Sequence, residues 1–93
     1  MVQVIDRMED AGGAQCIEFR VYRSPVEPSR ILANWQHGVS VNGMASIGTS
    51  QLGVPVDIEY RRAFNEAVQY GVPYLWVNDA DGLFPPAERP TPP

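Results

Sequence analysis

Residues Gly53 to Asn78 read GVPVDIEYRRAFNEAVQYGVPYLWVN, and this stretch decides the fold. Val56, Tyr60, Ala63, Phe64, Ala67 and Val68 recur at the spacing that places side chains on one face of an α-helix. Pro55 suits a first helical turn, where its missing N–H is not needed. Asp57 and Glu59 sit near the positive end of the helix dipole. Gly71 can adopt the left-handed conformation that stops a helix, and Pro73 prevents a restart. Arg61, Arg62, Asn65, Glu66 and Gln69 form the wet face. The spacing predicts a helix over 55–70.

Tyr74 to Val77, YLWV, follows at once. It is aromatic and β-branched, and it is bounded by Pro73 and by Asn78-Asp79, so it reads as a strand. Alternation sends Leu75 and Val77 one way and Tyr74 and Trp76 the other. A strand apolar on both faces belongs inside a sheet with cover on each side.

Working toward the N-terminus, VSVNGMASI carries Asn42-Gly43 between two short alternating runs, the pattern of a two-residue hairpin. Residues 29–37 fit a short helix capped by Ser29 or a strand, and the adjoining hairpin favours the strand. GTSQLG reads as a loop leading to the helix. VQVIDRM and AQCIEFRVYR flank the turn-prone EDAGG and predict an N-terminal hairpin. Ile17, Phe19 and Val21 form its dry face. The prolines of SPVEPS exclude a central strand there.

At 93 residues one modest core is affordable and a second is not. The expected fold is α+β: a small, mainly antiparallel sheet with one long helix on one face. Residues 1–84 form the compact domain. Residues 85–93 form a proline-rich tail favouring an extended polyproline conformation, with a P-x-x-P at 90–93.

Composition excludes several partners. The net charge is −4, and the seven basic residues are all arginines without a cluster, which argues against nucleic acid. Anionic membrane surfaces are disfavoured for the same reason. The start lacks a signal-peptide pattern, and no run approaches the roughly 20 apolar residues of a membrane span. A lone Cys16 allows no internal disulfide and suits a reducing cytoplasm. A soluble cytoplasmic protein is expected.

The polar residues offer few sites. Asp79, Asp81 and Gly82 match part of a calcium loop, but Val77 stands where the first ligand belongs and the prolines forbid an exit helix. The plainer reading is a strand end followed by an acidic turn. His37 is the only histidine, so it makes no two-histidine metal site, and as a base it needs Asp79 or Asp81 beside it. Cys16 has no neighbour in sequence to activate it. Gly43 to Gly53 lacks the lysine of a phosphate loop and any G-x-G-x-x-G, so neither a cofactor nor a metal is expected.

The aromatics carry more. One helix covers one side of the sheet, which leaves Tyr74 and Trp76, with Tyr22 and Trp35, needing another cover. Tyr and Trp are the residue types enriched at interfaces. The expectation is a non-enzymatic interaction or small-ligand-binding module. It associates through this face as a homodimer, or with a small apolar ligand or protein partner. The candidate contact residues are Tyr22, Trp35, His37, Tyr74, Trp76, Asp79 and Asp81. The alternative is a small enzyme using His37 with Asp79 or Asp81.

Overall fold

In a computed structural model of the chain, the backbone is described for residues 2–41, 44–49 and 54–89, and side chains for 2–36 and 54–89. In chain order come β1 (Gln3–Ile5), a 3₁₀ turn (Met8–Ala11), β2 (Cys16–Arg23), β3 (Ile31–Val41) and β4 (Met44–Thr49). They are followed by β5 (Val54–Pro55), α1 (Val56–Tyr70), β6 (Tyr74–Asn78) and a second 3₁₀ turn (Pro86–Glu88). The fold is α+β, with one helix packed on a mixed sheet.

The sheet order is β1-β6-β2-β3-β4, with β5 also on β3. β6 runs parallel to both β1 and β2, while β3 is antiparallel to β2, β4 and β5. The N-terminal hairpin expected from sequence does not form, because β6 lies between its two arms. The reason is the one that made YLWV conspicuous: a strand apolar on both sides gains most in the middle of the sheet. The chain instead leaves β1 through the 3₁₀ turn, with Gly12 and Gly13 at φ 59° and 85°. Such angles suit glycine, which has no Cβ to clash.

Residues 31–41 are a strand. Val41 pairs with Met44, so two residues connect β3 to β4 as the Asn42-Gly43 signal requires. Those two residues lie outside the described set. Gly48 and Thr49, expected in a loop, belong to β4.

The helix ends as its sequence dictates. Gly71 has φ 66°, its N–H donates to the Val68 carbonyl at 3.4 Å, and the Val72 N–H donates to Ala67 at 2.9 Å. These two bonds are the Schellman closure. The dry face is turned slightly from expectation. Val68 is 58% exposed, whereas Glu59 is fully buried. At about 100° per residue, Val68 falls beyond the edge of the arc centred on Ala63 and Ala67.

The core joins α1 to one side of the sheet. Ile17, Phe19, Ala33, Leu75 and Val77 meet Tyr60, Ala63, Phe64, Ala67 and Val72. Phe19, Tyr60 and Phe84 form an aromatic trio, with Phe19–Tyr60 at 5.6 Å and Tyr60–Phe84 at 5.4 Å between ring centres. Offset and edge-on arrangements of this kind are favoured over face-to-face stacking. Phe84 brings the tail with it: Arg89 packs over its ring at 5.9 Å and donates to Asp6 Oδ1 at 2.7 Å. Residues 86–88 turn as 3₁₀ rather than extending. The P-x-x-P at 90–93 lies outside the described residues.

Candidate functional site

Register fixes what shares the side of the sheet away from α1. On β6, Tyr74, Trp76 and Asn78 alternate with the buried Leu75 and Val77 and are half-buried. Cys16, Glu18 and Arg20 pair with them on β2. Tyr22 continues that row and pairs with Leu32, which pairs in turn with Pro55. Asn34 and Gln36 extend the face onto β3 opposite Arg20 and Glu18. Among the described residues no helix of more than one turn lies on this side; the Met8–Ala11 turn packs beside β1 at one corner. There Ile5, the partner of Trp76, is buried.

The face has a polar centre between aromatic ends. Glu18 Oε2 accepts from Arg20 Nε and from Asn78 Nδ2, each at 2.9 Å. The arginine charge is thereby matched within the sheet. Two open cavities adjoin at Asn78 and Ala80. The first, about 350 Å³, is lined by Arg20, Tyr22, Asn34 and Asp81 among others. The second, about 300 Å³, lies between Trp76 and the Met8 turn. Both occupy the carboxyl end of the parallel strands β1, β6 and β2.

Trp35 does not join this face. It pairs with Phe19, so it points to the helix side and packs against the core. The expectation placed it one alternation out of phase. Residues 31–36 have Ile31, Ala33 and Trp35 on one side and Leu32 on the other, and apolar character alone does not fix the phase.

Asp79 is a structural anchor. Its two oxygens accept from the Leu83 N–H at 2.8 Å and the Phe84 N–H at 2.7 Å. The Gly82 N–H closes the turn onto the Asp79 carbonyl at 3.2 Å. The carboxylate therefore aims Phe84 into the core. Asp81 is exposed at the rim of the first cavity.

His37 lies on β3, with Gly48 opposite; its side chain is outside the described set. The register sets it far from the acidic turn. Asn78 is level with Asn34 through Arg20, and β3 runs away from that end toward His37. Asp79 and His37 are thus about four residues apart along the strands, roughly 13 Å, with β2 between them. Cys16 is half-buried, and desolvation, helped by Glu18, pushes its thiol above the ordinary range. That is the reverse of what a nucleophile needs. Among the described residues no group of three His, Cys, Asp or Glu side chains could hold a metal ion, and no helix is long and apolar enough to cross a membrane.

Sequence reading missed Glu59. It is fully buried in the first turn of α1, bonded to Arg62 at 3.0 Å through one oxygen, and among the described residues no hydrogen bond reaches the other. Its charge was read only as a complement to the helix dipole. Comparison with protein-family models, with curated proteins and with solved structures finds no match for this chain.

Proposed function

We propose that this protein is a non-enzymatic binding module that takes a small apolar ligand on the open sheet face and works as a cytoplasmic homodimer. The observation that carries the reading is that Tyr74 and Trp76 on β6 and Tyr22 on β2 are held half-buried on the side that α1 does not cover. Aromatic side chains left partly wet offer a ligand large contact area at little entropic cost. The Glu18–Arg20–Asn78 network supplies orienting polar groups with no net charge to repel an apolar guest. The two cavities lie at the carboxyl ends of parallel strands, where open α/β sheets bind their ligands; this support is by analogy. Lack of a basic cluster argues against nucleic acid as the partner. The separation of His37 from the acidic turn and the raised thiol of Cys16 weigh against an enzyme.

A fluorescence titration tests the reading. With Trp35 changed to Phe, Trp76 is the sole indole. Adding a neutral naphthalene-type dye should shift its emission saturably, and Tyr74→Ala should weaken that binding about tenfold, the effect of roughly 1.4 kcal/mol. A chain whose Trp76 emission ignores such dyes, while the helix remains folded, would contradict it.

A further inference from the structure

β3 is longer than the sheet beside it. β2 pairs with β3 from Arg23–Ile31 to Glu18–Gln36. Beyond Gln36, the backbone from His37 to Val41 pairs only with β4, from Gly48 to Met44, among the described residues. This part is a two-stranded ribbon, and an isolated hairpin of that kind is marginal in water. β4 ends the sheet path, and among the described residues no strand pairs with its outer edge. β5 lies on the same side of β3 but further along, at Leu32 and Ala33.

The sequence of this edge is the opposite of what exposure demands. Solvent-facing edges are protected by charges, by proline or by being very short. β4 reads MASIGT, six residues with no charge and no proline. The neutral run is longer still: all seven arginines and all eleven acidic residues lie outside 31–56. The net charge of −4 is carried entirely outside this run. β4 itself therefore brings no charge against the β4 of a second copy.

We propose that two copies of the chain pair antiparallel through their β4 edges, so that the two sheets become one. The inference rests on the homodimer reading above and adds where the copies meet. A two-fold axis through β4 gives an isologous, closed contact. It turns two two-stranded ribbons into one four-stranded sheet, satisfies the outer N–H and C=O groups of β4, and leaves the Tyr22–Trp76 face open in both protomers.

Light scattering after gel filtration, run on five samples, tests this. The wild-type chain should have the mass of a dimer. Ser46→Glu and Ser46→Lys, each in the middle of β4, should raise the dissociation constant at least tenfold by placing like charges across the axis. Mixing the two variants should restore the dimer mass, which a misfolded variant cannot do. Trp76→Ala should remain dimeric. A wild-type monomer overturns both the homodimer and this seam. A dimer that survives both Ser46 variants but is lost in Trp76→Ala overturns the seam alone and puts the contact on the aromatic face.

Discussion

Asn78 and Glu18, sixty residues apart in the chain, are joined by a 2.9 Å hydrogen bond in the middle of the open face. The same Glu18 oxygen takes the Arg20 Nε. One carboxylate thus ties β6 to β2 and takes the Nε of an exposed arginine on β2. Glu18→Ala should cost about 1 kcal/mol, since Arg20 and Asn78 can both turn to water. Urea unfolding measures it, and a cost several times larger would mean that the network supports the core rather than the surface.

Asp79→Ala should be more damaging. It removes acceptors from two backbone N–H groups and loosens the turn that seats Phe84 against Tyr60. Charge-assisted bonds of this kind contribute about 1.5–3 kcal/mol each, so a loss of about 3 kcal/mol is expected. Both oxygens already being engaged, millimolar calcium should leave the melting temperature of the wild type unchanged. A calcium-dependent rise would revive the calcium-loop reading.

Glu59 and Arg62 make a contrasting pair. Arg62→Ala removes the partner of a buried carboxylate and should destabilise by about 1–3 kcal/mol. Glu59→Met keeps the volume, removes the buried charge and should leave stability equal or higher. Chemical denaturation of the two variants distinguishes them by sign, and a large loss in Glu59→Met would mean that the carboxylate has an essential polar role.

Alkaline pH should destabilise the fold through two groups. Burial raises the Tyr60 hydroxyl, partly offset by Arg89, and burial followed by Glu18 raises the Cys16 thiol. A group raised in the folded state binds its proton more tightly there than in the unfolded chain. Its contribution is complete below the unfolded value and is lost as pH rises through the folded one. Stability should therefore be flat through neutrality and fall above about pH 8.5–10, the ordinary Cys and Tyr values. Tyr60→Phe should flatten the decline near its upper end. Alkylation of Cys16 should be slow at neutral pH and accelerate only in base.

The parts of the fold legible in the sequence were those set by local chemistry. The helix, its glycine stop, the YLWV strand and the two-residue connection at 42–43 each depend on neighbours a few positions away. The pairing of β1 was not legible, because parallel pairing with β6 joins residues about seventy positions apart and leaves no local signature. Trp35 was placed on the wrong side because apolar residues occupy both alternations of its strand. Glu59 was missed because helical periodicity defines an arc, and its edges at Glu59 and Val68 are settled only by what packs there. Tyr74 and Trp76 were readable as a problem of cover, since one helix shelters one side.

The central claim is that the side of the sheet bearing Tyr22, Tyr74 and Trp76 is a contact surface. Amide chemical-shift mapping of the ¹⁵N-labelled chain against a panel of small neutral aromatic compounds tests it most directly. The account predicts shifts concentrated on residues 18–22 and 74–78 and on the Trp76 indole N–H. Shifts confined to α1, or none at saturating compound, would contradict it.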